Sequence, residues 1–184
     1  MLRGNRELWL ALLAMILLSG LYGLVLFFTR QIPPAGELFG HGIGIVGFIF
    51  MLMTETLYSL RKRTRSVRWG KMSTWLQLHI FTGLVGPYMV LLHTSWKFNG
   101  IAGITTLFTI IIVISGFIGR YIFTRIPRTL DGLELDGTIS QEALKQARRL
   151  MALWHTIHIP IGMALFISAF VHIGAALYYA TLLK

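Results

Sequence analysis

The chain has 184 residues, of which 55% are hydrophobic, 13% are charged and none is cysteine. Soluble domains average about 45–50% apolar and about 25% charged residues, so this composition excludes an ordinary soluble protein and indicates an integral membrane protein. Without cysteine the chain alone forms no disulfide or iron–sulfur cluster, and its net charge of +10 lies mostly in the connections between apolar runs, so we expect no nucleic-acid partner.

Five apolar runs are long enough to cross a bilayer, which takes about 20 helical residues. In chain order they are Leu8–Phe28, Leu38–Leu60, Met72–Trp96, Ile101–Ile126 and Leu150–Leu183. A spanning segment has to satisfy its backbone hydrogen bonds internally, so the predicted fold is an all-α bundle of five transmembrane helices in a single domain, residues 1–184. The first run begins where a signal peptide would, but its length and its lack of a small-residue cleavage site predict a genuine first helix.

The basic residues are distributed unequally over the ends of these runs. Fourteen Lys and Arg residues lie at the N-terminus and around the loops after the second and fourth runs, against three on the opposite side. By the positive-inside rule the N-terminus is cytoplasmic and the C-terminus is outside, and the basic loops contact anionic lipid. We expect a multi-pass protein of a prokaryotic cytoplasmic membrane.

The longest connection is a predicted cytoplasmic loop at 127–149. It contains two Asp-Gly turn signals, at 131–132 and 136–137. Ser140 followed by Glu142 predicts an N-cap with acid in the first turn, from which an amphipathic helix runs into the fifth span. The segment serves either as the docking site of a soluble partner or as a solvated connector.

Two of the runs carry histidine pairs with the same spacing. His79 and His93 lie in the third run and His158 and His172 in the fifth, each pair fourteen residues apart. Fourteen helical steps end about 40° short of four full turns and rise about 21 Å, so each pair projects from nearly one face. Because these helices are predicted to run parallel, His79 matches His158 near the cytoplasmic side, and His93 matches His172 near the outer side.

Two facing imidazoles at each depth suit haem better than zinc. Zinc takes four protein ligands in structural sites, and no cysteine or nearby acid supplies the rest. Haem iron takes only two axial ligands, and its large macrocycle suits apolar surroundings. Gly83 and Gly162 each follow the inner histidine of their helix by four residues, where a missing side chain lets a flat ring approach. The alternatives are interhelical hydrogen bonds and a proton relay.

This pattern resembles the transmembrane dihaem b-type cytochromes, which include the cytochrome b of quinol-oxidising complexes and the membrane domains of ferric reductases and NADPH oxidases. Five spans with a cytoplasmic N-terminus are also similar to the membrane subunit of respiratory nitrate reductase, although its ligand spacing differs. The resemblance rests on the third and fifth runs. It implies two haem b groups, with His79 and His158 on the inner iron and His93 and His172 on the outer iron.

The function that the resemblance implies is transmembrane electron transfer through two stacked bis-histidine haems. The chain is then a cytochrome b subunit that exchanges electrons with the quinone pool and with partners carrying iron–sulfur, multihaem or flavin centres, rather than a complete enzyme. One alternative is a ferric-reductase-like conduit fed by a separate cytoplasmic flavoprotein. Another, from a different class, is a haem-free proton-coupled transporter or structural anchor.

Three further ionisable residues are candidates for a quinone or proton site. His41 lies near the outer start of the second helix. It either flanks a quinol site, hydrogen-bonds a propionate or replaces an assigned ligand, or it is an ordinary interfacial histidine. His155 lies about 60° around the helix from His158. It either faces a propionate or a substrate near the cytoplasmic surface, or it too is an ordinary interfacial histidine. Glu55 either accepts a proton or pairs with a neighbouring arginine.

One arginine and three tryptophans complete the candidates. Arg120 lies inside the cytoplasmic end of the fourth run, where it either clamps a haem propionate or snorkels to the interface. Trp75, Trp96 and Trp154 are expected to be membrane-interface anchors. The aromatic residues therefore need no cofactor to explain them.

Overall fold

The computed structural model describes residues 5–63, 70–125 and 141–182, and within these ranges it is helical, with no strand. The helices are α1 (Arg6–Thr29), α2 (Leu38–Arg63), α3 (Met72–His93), α4 (Gly100–Arg125) and α5 (Gln141–Leu182). All five include a stretch long and apolar enough to cross a membrane. The predicted all-α fold of a multi-pass membrane protein is therefore confirmed, while the direction in which the chain crosses stays a prediction.

The helix ends differ most from the predicted runs at two places, the end of α3 and the start of α5. The third run was expected to reach Trp96, but α3 ends at His93, because Ser95 and Trp96 have φ values of 50° and 62° and turn the chain out of the helix. The Ser95 hydroxyl donates to the carbonyl of Pro33 at 2.6 Å, which fixes this turn. At the other place, α5 already runs as helix from Gln141, as the predicted amphipathic segment requires. Ser140 and both Asp-Gly signals lie outside the described residues.

The contacts divide the chain into two compact units, Met1–Thr106 and Leu107–Lys184. In the first, α3 packs against both α1 and α2, and the hydroxyls of Ser19 on α1 and Tyr88 on α3 are 2.5 Å apart. Its buried core is formed by Ala11, Ile43, Val85, Met89 and Leu92. In the second unit α4 and α5 meet through hydrogen bonds. That the whole chain is one domain stays a prediction.

Large apolar side chains are exposed on all five helices. Examples are Phe28 on α1, 79% exposed, and Ile167 on α5, 64% exposed. Hydrocarbon tails are as apolar as these side chains, so such surfaces are stable against lipid and unstable in water. The helices therefore contact the membrane directly, and helix association depends on close packing and on hydrogen bonds between helices.

Candidate functional site

Both candidate ligands on α3 are hydrogen-bonded to the backbone of α2. Nδ1 of His79 lies 2.9 Å from the carbonyl oxygen of Thr54, and Nδ1 of His93 lies 2.8 Å from the carbonyl oxygen of Gly40. Because a carbonyl oxygen only accepts, the hydrogen-bond partners assign a proton to Nδ1 of each imidazole. Each ring then keeps its lone pair on Nε2, the nitrogen that can bind a metal or accept another hydrogen bond.

The two hydrogen bonds are symmetric about a close contact between two glycines. The acceptors Gly40 and Thr54 are fourteen residues apart on α2, as the two histidines are on α3, and Gly47 and Gly86 lie midway on their helices. A Cβ atom on either glycine would lie 2.9 Å from the carbonyl oxygen of the other. Since a seven-residue repeat keeps one helix facing its neighbour, the fourteen-residue spacing here turns both imidazoles toward α2.

The imidazole of His93 occupies space that a missing side chain on α2 leaves open. A Cβ atom at Gly44 would lie 2.7 Å from Cγ and Nδ1 of that ring. One helical turn earlier, Gly40 supplies the accepting carbonyl, and its own missing side chain admits the carbonyl of Pro34. The glycine-rich start of α2 therefore determines where the His93 ring lies.

At the other end of the α2–α3 contact, His79 lies among threonine and tyrosine side chains. The hydroxyls of Thr54 and Thr82 are 2.7 Å apart, and the Tyr58 ring centre is 5.1 Å from that of His79. A Cβ atom at Gly83 would lie 3.2 Å from Cγ2 of Thr54. The structure thus gives Gly83 a packing role against α2, while its predicted contact with a haem ring stays a prediction.

In the second unit His158 is held by a side chain instead of the backbone. Its Nδ1 lies 2.9 Å from the hydroxyl oxygen of Ser115 on α4. Trp154 donates from Nε1 to the carbonyl of Ser115 at 2.7 Å, and its ring stacks on the His158 ring with centres 4.6 Å apart. A serine hydroxyl both donates and accepts, so this contact is compatible with either tautomer. Trp154, expected to be only an interface anchor, is therefore also a neighbour of a candidate ligand.

Each candidate for quinone or proton chemistry on α2 lies near one of the α3 histidines. The rings of His41 and His93 meet edge to face with centres 6.3 Å apart. Glu55 directly follows Thr54, whose carbonyl accepts from the imidazole of His79. Titratable groups therefore accompany the candidate ligands at both ends of α3, although no quinone or proton role follows from proximity alone.

The remaining candidates are on α4 and α5. Nδ1 of His155 bonds the carbonyl of Met151 in its own helix at 3.1 Å, and its ring contacts Trp154 edge to face at 4.7 Å. His172 and Arg120 are half-buried. Gly162 is buried and has open surroundings, since an added Cβ atom would meet only Cδ1 of Ile112 at 3.9 Å. The predicted roles of these residues stay predictions.

Across the ranges that the structure describes, no group of three or more His, Cys, Asp or Glu side chains is arranged to hold a metal ion. A haem iron takes two ligands from the protein, so this observation does not decide whether haem binds. Four residues that contact the imidazoles were not predicted in that role from the sequence: Gly40, Thr54, Ser115 and Trp154. The only signal for the first two was the small-residue repeat of α2, with glycines at 40, 44 and 47.

No protein-family model, no curated protein and no solved structure matches the chain. Similarity therefore assigns it to no family. The resemblance to dihaem cytochromes rests on the four spaced histidines and on the number of membrane-spanning helices, and the chain's own residues are the basis for a functional proposal.

Proposed function

We propose that the chain is the membrane subunit of a dihaem b-type cytochrome and carries electrons across a membrane, with His79, His93, His158 and His172 as axial ligands. The observation that supports this best is that His79, His93 and His158 are each hydrogen-bonded at Nδ1 to an oxygen of a neighbouring helix. Histidines that bind metals almost always donate their other ring N–H in this way, because the bond fixes the ring and raises its basicity.

The free nitrogens of the α3 histidines support the same proposal. In the described part of the chain, Nε2 of His79 and Nε2 of His93 make no hydrogen bond, since each ring is bonded through Nδ1 only. Neither nitrogen is a buried atom without a partner, so each is accessible to a ligand. Interhelical hydrogen bonding uses only the other half of each imidazole.

The donor set fits haem. A haem held by two imidazoles supplies one-electron chemistry at an iron with no open position for oxygen. The residues of the chain orient the imidazoles: the carbonyls of Thr54 and Gly40 fix two tautomers, and Gly44 gives the His93 ring its place. The pairing of His79 with His158 and of His93 with His172 comes from the sequence spacing and belongs to the proposal.

The electron partners in this proposal are the quinone pool and redox subunits with iron–sulfur, multihaem or flavin centres, in a prokaryotic cytoplasmic membrane. Quinol oxidation releases protons together with electrons, so it needs titratable groups beside the electron acceptor. Glu55, next to the residue that bonds His79, and His41, beside His93, are such groups. A conduit fed by a separate flavoprotein needs neither, which is why quinone exchange is the preferred version.

Haem content tests the proposal. The full chain is purified from membranes in mild detergent, and its haem is extracted as the pyridine complex and compared with the protein concentration. We expect two haem b per chain and b-type bands in the reduced-minus-oxidised spectrum. Protein that is folded and free of haem after expression with excess haem precursor would contradict the proposal and favour the proton-coupled transporter.

The quinone exchange needs a second measurement. A water-soluble quinol analogue is added to the purified haem-containing protein, and dithionite is added afterwards to define full reduction. We expect the quinol analogue to reduce at least one haem. If dithionite reduces both haems and the quinol reduces neither, quinone exchange is wrong and the flavoprotein-fed conduit is favoured, while the haem ligands stand.

A further inference from the structure

In the second unit His158 makes a stacking contact in addition to the hydrogen bond that a metal-binding histidine usually makes. Ser115 makes two of them with different atoms: its hydroxyl contacts Nδ1 of His158 at 2.9 Å, and its carbonyl accepts from Nε1 of Trp154 at 2.7 Å. Ser115 is buried, with 8% of its surface exposed. One residue of α4 therefore holds two neighbouring aromatic side chains of α5.

Trp154 in turn restricts the orientation of the His158 ring. The two rings are nearly parallel, with an interplanar angle of 29° and centres 4.6 Å apart. Rotation of the imidazole about its Cβ–Cγ bond would break this stack and the hydrogen bond to Ser115 together. One hydrogen bond and one stacking contact thus restrict the ring plane of His158.

The position of Trp154 depends on Gly119. A Cβ atom there would overlap the six-membered ring of the tryptophan, whereas at Gly116, three residues earlier on α4, a Cβ atom would meet nothing within 4 Å. Both glycines lie in the interior of one helix, where glycine is less stable than alanine by about 0.5–1 kcal/mol. Close packing of an aromatic ring explains why residue 119 is glycine, and it does not explain the glycine at 116.

We propose that Ser115 and Trp154 are positioning residues that set the hydrogen-bonded state and the ring plane of His158, and through them the redox potential of the haem that His158 ligates. This inference rests on the proposed function. When Nδ1–H donates to an oxygen, the imidazole becomes more basic and favours oxidised iron. Removal of the Ser115 hydroxyl therefore raises the potential of that haem and of no other.

The test compares four variants of the full chain purified with haem. Ser115→Ala removes the hydroxyl, Ser115→Thr keeps it, and Trp154→Phe keeps an aromatic ring while it removes the N–H donor. Thr156→Ala is the matched control, because Thr156 is an exposed hydroxyl of α5 that bonds only the Ala152 carbonyl of its own helix. Redox titration followed by optical spectra gives the potential of each haem, and electron paramagnetic resonance reports the relative orientation of the two axial rings.

For Ser115→Ala we expect one haem to shift, with the ratio of its reduced to oxidised form rising about threefold or more at a fixed ambient potential. Ser115→Thr and Thr156→Ala should resemble the unmodified protein. Trp154→Phe should alter the electron paramagnetic resonance spectrum of the same haem. If Ser115→Ala does not accumulate as folded protein, this measurement is the test of the proposal.

Two failures are distinguishable. If the unmodified protein contains no haem, the proposed function is wrong. If it contains both haems, and neither Ser115→Ala nor Trp154→Phe changes a potential or a resonance signal more than Thr156→Ala does, the positioning roles are wrong and the function stands.

Discussion

The α2–α3 pair and the α4–α5 pair hold their histidines by different chemistry. In the first, both imidazoles donate to backbone carbonyls, which substitution of side chains does not remove. In the second, His158 meets the hydroxyl of Ser115, and a tryptophan covers its ring. A carbonyl dictates one tautomer and a hydroxyl allows two. The first arrangement therefore fixes its histidines through the close approach of two helices, and the second fixes its histidine through side chains that a substitution can remove.

The packing of the two helix pairs also differs, because backbones meet in the first and a side chain meets a backbone in the second. The helices α2 and α3 approach closely because Gly47 and Gly86 face each other, which is how small residues let membrane helices associate. Between α4 and α5 a single glycine, Gly119, accommodates the indole of Trp154. The first pair should therefore be sensitive to any added side chain, and the second to changes around one ring.

The largest effect is expected when one proposed iron ligand is removed from α3 or from α5. His79→Ala and His172→Ala should each lose about one of the two haems, because a six-coordinate haem depends on both imidazoles. If His79 pairs with His158, the double variant of these two should still keep one haem, whereas His79→Ala with His172→Ala should keep none. Haem per chain, determined by extraction, measures this.

His155→Ala is the control for the ligand variants, since His155 lies about 60° around the helix from His158 and outside the fourteen-residue spacing. It should retain both haems. Retention of both haems in His79→Ala would contradict the assignment on α3, and retention of one haem in the variant lacking His79 and His172 would contradict the pairing.

The next largest effect concerns the place of the His93 ring. Gly44→Ala puts a methyl group 2.7 Å from the imidazole, and such overpacking costs about 1–3 kcal/mol. We expect a lower free energy of unfolding in mixed detergent and partial loss of one haem. Gly42→Ala, two residues away with nothing within 4 Å of the added atom, should be neutral or slightly stabilising. Equal behaviour of the two variants would mean that α2 does not approach α3 as described.

The corresponding change in the α4–α5 pair should be milder. Gly119→Ala displaces the Trp154 ring and no proposed iron ligand directly, so we expect a cost near the lower end, about 1 kcal/mol. Its signature is a changed tryptophan fluorescence, in a background where the other four tryptophans are phenylalanine. Gly116→Ala should leave that emission unchanged, and a shift in both variants would argue against a specific contact.

The smallest effect is expected from the threonine pair of α2 and α3. Thr82→Val removes one member of the 2.7 Å hydroxyl contact with Thr54, and hydrogen bonds between membrane helices average about 0.6 kcal/mol. Unfolding in mixed detergent should show a loss of that size. Thr56→Val is the control, because the exposed hydroxyl of Thr56 bonds only its own helix. A loss no larger than that of the control would show that the hydroxyl contact contributes nothing to helix association.

The sequence predicted the five helices well, because apolar length alone identifies a membrane span. It misplaced the end of α3, because Ser95 and Trp96 adopt a left-handed turn that neither residue type indicates. The contact between Ser19 and Tyr88 likewise depends on the rotation of two helices, which hydropathy does not report.

For the candidate site the sequence showed which histidines share a face but not what that face contacts. A spacing of fourteen serves two stacked cofactors, and it equally serves two turns of a seven-residue packing repeat against α2. Gly83 was interpreted as space for a ring, and the structure places Thr54 beside it. Trp154 looked like an interface anchor because sequence position alone cannot show that Gly119 leaves room for it.

Near-infrared magnetic circular dichroism of the oxidised, purified chain tests the central claim most directly, since its charge-transfer band identifies the axial ligands of low-spin haem. We predict that all haem in the sample shows bis-imidazole ligation, at two haems per chain. High-spin haem, ligation by any group other than two imidazoles, or folded protein without haem would contradict the assignment of His79, His93, His158 and His172.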